Sequence, residues 1–547
     1  MLVDNDVRGD SRVQKVARSA AAAGWEVILL GERRDAPLET WKIGDAEVRL
    51  VPVGNQLALL PALFTRPLLR RPLAYPPGRT ANYRLTLARA RRADVGARIS
   101  AVRARRRAGG SRAREVVGLA PLAVPWAAAR VAHRWARFRT EEARRVKEAR
   151  RNERALLNTL PIAFWKLVLG RRAWRRLDPS LWQWELAFGS VIDSLKPDII
   201  HAHDFRMVGV GARAVMRARA RGRQVKLVWD AHEYVPGLRP RPGTPRWLPA
   251  LVAHEKEYAP HADAVVTVST SLAELLQKEH KLPAVPAVVM NAPVCAPSEE
   301  ERAEPVPDLR QLCGIGPDTP LLAYCGGITP VRGVDLMLDT LPELPGLHLA
   351  LVSLHPNGKN PAAEQAYQRA EELGVADRVH LLPYVPHWQV SAFLATADAA
   401  VSPLHHLPNH EIALSNKFFE YSQARLPLIV SDVRTMAEMV RATGQGEVFR
   451  AKDAADYVRA VKAVLADPAR YRAAYDRPGL LEQWTWEAQA AVLDQVYSEL
   501  LPDRPGTARP AAAPVAPADQ PEVVEAAEAA AAPTAPRPRQ AEVGSVQ

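Results

Sequence analysis

Cysteine is scarce: only Cys295, Cys313 and Cys325 occur in 547 residues. That excludes a disulfide scaffold, and the lack of C-x-x-C spacing excludes a zinc ribbon or a redox pair. A reducing cytoplasm suits such a chain. Long apolar runs are lacking as well. The longest near-apolar stretch, Val116 to Ala129, has 14 residues with two prolines and a glycine, whereas a membrane span needs about 20, so no transmembrane helix is predicted. The start, Met-Leu-Val-Asp-Asn-Asp, has neither a basic region nor an apolar one and does not read as a signal peptide. Acidic residues are sparse in one region. Residues 51–180 hold 30 Lys and Arg against 7 Asp and Glu, a net +23 that leaves the remainder of this +13 chain at −10. The basicity therefore describes a partner of that region rather than the whole fold.

What is present is the composition of a soluble globular protein, 48% hydrophobic and 24% charged. At this length one core is not enough, and two domains are expected. Asp10-Ser11 reads as a helix start, Val13, Val16, Ala17, Ala20 and Ala23 recur at helical spacing, and Gly24 closes the helix. Glu26–Leu30 and Glu47–Val51 read as strands. The opening strand, Met1-Leu2-Val3, is short, and one reading places its true start upstream of Met1. Residues 52–185 break the alternation. They are rich in Arg, Ala and Leu and carry six of the 13 tryptophans (Trp126, Trp135, Trp165, Trp174, Trp182, Trp184), so basic amphipathic helices inserted into the first domain are predicted.

Strand–helix alternation resumes at Pro197, with strands at 198–202, 225–229, 264–268 and 288–290. A Pro- and Glu-rich linker follows at 296–308. A second alternating unit runs over 309–475, with strands at 321–325, 347–352, 379–382, 399–401, 428–430 and 448–449. A helix is predicted near 480–500, within a closing segment 476–501, and a disordered Pro/Ala/Glu tail over 502–547. Repeated β-α-β units of this kind give an α/β protein with two Rossmann-like, doubly wound parallel sheets, one over 1–300 and one over 309–475.

Ligands of open parallel sheets bind at the C-terminal strand ends. After 321–325 comes Gly326-Gly327-Ile-Thr-Pro-Val-Arg332-Gly333, glycines that let amides approach a phosphate and an arginine that can fork onto a diphosphate. After 399–401 a loop leads to Asn416-Lys417-Phe-Phe-Glu420-Tyr421, where Lys417 and Glu420 share a helix face. Taken alone, the first is also what a tight βα turn looks like, and the second what a surface ion pair looks like.

Together, in this order, they resemble the second domain of family 4 retaining glycosyltransferases of GT-B architecture. There a glycine loop ending in a basic residue and Gly precedes an N-K-x-x-E-Y…P helix. Asn416, Lys417, Glu420, Tyr421 and Pro427 match, while Arg425 stands where glycine is usual. Asp198-Ile-Ile-His201-Ala-His203, Asp230-Ala-His232-Glu233, Ala262-Asp263 through Ser269, Asn291 and Asp10-Ser-Arg12-Val13 resemble the family's first-domain motifs. The resemblance covers roughly 1–50 and 190–500. One departure stands out. The family's E-x7-E would put its first Glu at Ile412; Glu411 is one step off, with Asn409, His410 or backbone amides as other holders of the sugar.

The resemblance implies transfer of a sugar from a nucleotide-diphosphate sugar to a hydroxyl acceptor with retained configuration. It implies Arg332, Lys417, Gly326 and Gly327 at the diphosphate, Glu420 at the ribose, Asn416 and Glu411 on the donor side, and His203 near the transferring sugar, with His201 turned to the sheet. Asp6, Arg12 and His232 are expected on the acceptor side. No cofactor and no metal are expected: Asp4-Asn-Asp6 lies in the first loop, and His405, His406 and His410 lack supporting ligand spacing. The basic insert suits an anionic membrane surface; next comes a solvated helical pair whose tryptophans pack against the domain, with nucleic acid the less favoured partner. A place in the cytoplasm, peripheral on the inner face of the plasma membrane and serving a lipid-linked or cell-envelope acceptor, follows. The rival readings are a nucleotide-sugar epimerase or phosphorylase on the same frame, and a non-catalytic protein bound to membrane or nucleic acid.

Overall fold

The computed structural model describes residues 1–33, 37–54, 57, 71–76, 80–151, 156–241, 244–354, 361–412 and 414–502. The first sheet is built from β1 (Ile28–Arg33), β2 (Glu39–Ile43), β3 (Ala46–Pro52), β4 (Ile199–His203), β5 (Lys226–Ala231), β6 (Ala264–Thr267) and β7 (Ala287–Val288). Its two parts run β1-β3-β2 and β4-β5-β6-β7. Leu2 stitches them together through parallel bridges to Leu30 and Ala202, with its own amide donating to His201 O at 2.8 Å. The short opening segment therefore enters the sheet as an isolated bridge and not as a full strand. All pairings are parallel except β2–β3, a hairpin turned at Gly44 that the sequence reading passed over. Its half-exposed alternation is weaker than the apolar runs of the buried parallel strands.

The second sheet comprises β8 (Leu321–Cys325), β9 (His348–Leu354), β10 (Val379–Pro383), β11 (Ala399–Ser402), β12 (Leu428–Ser431) and β13 (Gly446–Phe449). Its order is β10-β9-β8-β11-β12-β13, all parallel, so the order reverses between β8 and β11. A crevice at that switch point is where such a sheet receives a ligand.

The longer helices, all but one hairpin of which pack on the faces of the two sheets, follow in chain order. They are α1 (Ser11–Ala22), α2 (Thr80–Arg107), α3 (Arg112–Arg151), α4 (Leu156–Leu169), α5 (Trp182–Leu195), α6 (Asp204–Ala220), α7 (Trp247–Tyr258), α8 (Thr270–His280), α9 (Val334–Thr340), α10 (Pro361–Glu372), α11 (Asn416–Gln423), α12 (Arg434–Thr443), α13 (Ala454–Ala466) and α14 (Trp486–Leu500). On one side of the first sheet, α5, α6 and α7 share a core with Trp174, Leu177 and Trp229. On the other side α1 packs with Val228 and Val266, and with Trp486, Leu493 and Tyr497 of α14. The last helix thus belongs to the first sheet's core. Asp10 caps α1 through Val13 N, as its sequence predicts.

Two expectations for the insert are corrected. The first concerns its extent. Trp174 and Trp184 are core residues, with Trp174 Nε1 donating to Glu257 at 2.6 Å and Trp184 Nε1 to Glu32 at 2.8 Å. They do not wait for an interface, because from Ile162 onward the chain already packs on the first sheet. The second concerns length. Val116–Ala129 lies inside the 40-residue helix α3, which continues through Pro121 and Pro125. Within it Arg112–Val146 is by length and composition alone apolar enough to cross a membrane. Counting only the strictly apolar run missed this, because the helix carries straight on past Arg130. α2 and α3 pack on each other, burying Ala88, Val95, Ala129 and Ala136, and among the described residues none of either helix is in the cores of the two sheets. The tail expectation for 502–547 lies outside the described residues from 503 onward.

Candidate active site

The strand ends flanking the switch point place the two motifs of the second domain side by side. Beyond β8, Gly326 takes a φ of 151°, and Gly333 takes 67°, a conformation that favours glycine. A Cβ on Gly333 would lie 2.1 Å from Pro403 O, so the β8 loop and the β11 loop close on each other only because this residue has no side chain. Tyr421 holds the end of β8 from beneath: its buried hydroxyl accepts from Cys325 N at 2.8 Å. Tyr324 fixes the loop's other end by donating to Gly327 O at 2.8 Å, and Arg332 lies beside Tyr324 and Gly326. Nothing approaches within 4 Å of a Cβ built on Gly327, so this backbone borders open space.

Asn416 begins α11. Lys417 Nζ donates to Glu420 Oε2 at 2.7 Å, and both side chains are largely buried. Burial opposes the Lys417 ammonium, but Glu420 and Cys325 outweigh it and raise its pKa, so the residue stays charged. Arg425 adopts φ 54°, a left-handed conformation that glycine takes without strain, and pairs with Asp476. The departure from the motif therefore keeps the backbone shape.

Glu411 is turned elsewhere. Its Oε1 contacts His406 Nδ1 at 2.6 Å and its Oε2 accepts from Arg434 N at 2.8 Å, at the start of α12. The Asn409 side-chain amide accepts from Tyr234 N at 2.8 Å and donates to Tyr234 O at 3.2 Å, which ties this loop to the first domain. His410 Nδ1 contacts His405 O at 2.7 Å.

On the first domain, β4, β5 and α1 converge on one carboxylate. Asp230 is fully buried and takes Arg12 on both oxygens, at 2.8 and 3.0 Å, with His203 Nδ1 at 3.2 Å, His232 Nε2 at 3.1 Å and His201 Nε2 at 3.5 Å. Burial would raise its pKa, but Arg12 and the histidines outweigh it and hold it well below the usual range. Burial lowers His201 and drives His203 well below the imidazole range, so both are neutral; Asp230 overcomes burial and raises His232. His201, expected to turn to the sheet, shares a face with His203 two residues along the strand, and the rings lie 4.3 Å apart. His203 Nε2 is buried without a hydrogen-bond partner among the described residues. Arg12, also bonded to Val289 O at 2.8 Å, is 4% exposed and supports this centre from within, whereas Asp6 is exposed.

His201, His203 and Asp230 bring their ligand atoms within 4.8 Å of one another. The donor set does not fit a divalent ion, because Arg12 already occupies both Asp230 oxygens with a positive charge. Two further residues escaped the sequence reading. Lys15 Nζ donates to Asn291 Oδ1 at 2.9 Å and Ala292 O at 2.6 Å, close enough to Lys417 and Glu420 to feel both charges. Burial, then Arg12, lowers its pKa to about 7. Asp204, next to His203, has φ 65°, and burial raises its carboxyl to about 7. Lys15 lies off the apolar stripe of α1 marked by Val13, Val16, Ala17 and Ala20, so no signal in one sequence marks either residue.

Comparison with known proteins adds to this geometry. Residues 307–478 match the family described as "Glycosyl transferases group 1", and residues 126–294 that described as "Glycosyltransferase Family 4". A D-inositol 3-phosphate glycosyltransferase from Thermobispora bispora is 27% identical over 321 residues, 56% of this chain and 71% of that protein. A glycogen synthase from Mycobacterium tuberculosis is 29% identical over 178 residues, 32% of this chain and only 42% of the relative's length. The sucrose-phosphate synthase of Thermosynechococcus elongatus shares the fold, with a TM-score of 0.54 at 16% identity over 90% of this chain and 93% of that one.

Proposed function

The chain is a family 4-like glycosyltransferase of GT-B architecture, and from that premise we propose that it moves a sugar from a nucleotide-diphosphate sugar to a hydroxyl acceptor with retention of configuration and without a metal or other cofactor. The observation that carries this reading is the Lys417–Glu420 pair standing at the switch point beside the Gly326–Gly327 loop. The bond to be broken leaves a diphosphate, whose growing negative charge must be met. Lys417 and Arg332 supply fixed positive charge, and the Gly326 and Gly327 amides supply donors that need no reorganisation. Glu420 accepts from the ribose hydroxyls. Neutral His203 offers an uncharged hydrogen bond near the sugar, oriented by Asp230. The acceptor hydroxyl enters from the first domain past His232 and Asp6, and its proton leaves on the departing phosphate. With Glu411 held by His406 and Arg434, backbone amides of the 402–415 loop are the holders of the sugar.

We further propose that the acceptor is lipid-borne and that the enzyme works at the inner face of the plasma membrane; the net +23 of residues 51–180 supports this. The test is a thermal-shift series with UDP-, GDP-, ADP- and dTDP-sugars on the protein and on Lys417→Ala and Glu420→Ala. Stabilisation by one nucleotide class, lost in both variants, is expected. No shift with any donor from folded protein would sink the reading.

A further inference from the structure

α4 has two apolar faces, and only one is used. Ile162, Trp165 and Leu169 pack on the first sheet's core. Leu160, Phe164, Leu167 and Val168 point outward, Leu167 at 86% exposure. Their spacing, i, i+4, i+7, i+8, is one helix face. The segment Leu160–Arg176 holds five Lys and Arg and no acidic residue, and Lys166, Arg171, Arg172 and Arg176 are exposed. With 14 residues α4 is about 21 Å long. That is too short to span a bilayer, and its other face is already anchored. An apolar face collared by cations on a helix that cannot cross is the arrangement of an interfacial anchor.

We propose that α4 lies flat in an anionic phospholipid surface and seats the first domain on it. α3 presents a second line of the same character: Val117, Val124, Val131 and Phe138 are exposed at seven-residue intervals. Such a seam could also receive a second copy of the chain. Charge decides against that: residues 80–139 carry 15 Arg and two acidic residues, so two hairpins would repel where anionic headgroups attract. The arginines of α2, packed along α3, likewise keep α3 at the headgroup level rather than across the bilayer. The proposal rests for its purpose on the reading of a lipid-borne acceptor, while its geometry is independent of the sugar chemistry.

The experiment is co-sedimentation of the full chain with phosphatidylcholine vesicles, with and without phosphatidylglycerol. The variants are Phe164→Glu/Leu167→Glu and, separately, Arg171→Glu/Arg172→Glu, with melting temperature as a folding control. Binding only to the anionic vesicles is expected, weakened by about tenfold or more in each variant with the melting temperature unchanged. Absence of binding by the unaltered protein, or binding by both variants as strong as that of the unaltered protein, overturns the proposal. So does a lipid-free dimer abolished by Phe164→Glu/Leu167→Glu, which would assign the face to a second copy. Resistance to alkaline carbonate would overturn it in favour of a spanning α3. Donor-induced stabilisation is read on the same samples: its loss with vesicle binding intact would sink the sugar-transfer reading and leave the anchor standing.

Discussion

Tyr497, on the last helix, hydrogen-bonds His201 on β4 at 2.6 Å, although 296 residues separate them. Both are fully buried, and His201 in turn faces Asp230. Tyr497→Phe keeps the ring and removes the hydroxyl, leaving a buried imidazole nitrogen unsatisfied. We expect a loss of about 1–3 kcal/mol in urea unfolding, with a slower transfer rate and unchanged donor affinity. Unaltered stability and rate would show that this contact is incidental.

Gly333 should not tolerate a side chain. Gly333→Ala places a methyl against Pro403 O in a left-handed conformation. Backbone cannot yield as a flexible side chain would, so we expect about 2 kcal/mol or more of destabilisation, and weaker donor binding as the β8 and β11 loops part. Gly327→Ala, which meets nothing, is the control and should leave stability nearly unchanged.

Lys15 gives stability a defined pH dependence. Its pKa falls from 10.5 unfolded to about 7 folded. Between those values the unfolded chain binds the additional proton, so stability contributed by this residue rises as pH increases from about 7 toward 10.5, by up to about 1.4 kcal/mol per pH unit. Lys15→Met should flatten the slope over that window. An identical slope in both proteins would mean that the amine titrates normally.

The two glutamates of the second domain should separate cleanly. Glu420→Ala removes the partner of Lys417 and should weaken nucleotide-sugar binding by about tenfold, roughly 1.4 kcal/mol. Glu411→Ala removes the cap on Arg434 N and the contact to His406. It should cost about 1 kcal/mol of stability while leaving calorimetric donor affinity within about twofold. The reverse pattern would restore Glu411 to the donor sugar.

The second domain was legible because its buried parallel strands are unbroken apolar runs, and because its site is assembled from two local motifs at strand ends. The first domain's site is assembled from distance. Arg12 and Asp230 are 218 residues apart, and nothing in Asp10-Ser-Arg12-Val13 says that the guanidinium turns inward. β2 escaped because its exposed face dilutes the apolar pattern. The six tryptophans of the insert look alike in sequence, yet Trp174 is core and Trp135 is exposed; only the packing of α5 to α7 divides them. Arg425 looked like a flaw in the motif, and backbone conformation shows that it is not one.

The position of α14 bears on how the molecule is made. Trp486, Leu493 and Tyr497 complete the core against α1 and the first sheet, so the half of the protein that leaves the ribosome first is the half that is completed last. Through the whole synthesis of the second sheet, the first presents an uncovered apolar face and a histidine awaiting its tyrosine. A chain cut before Trp486 would lose no part of the second sheet and would still be unable to close the first.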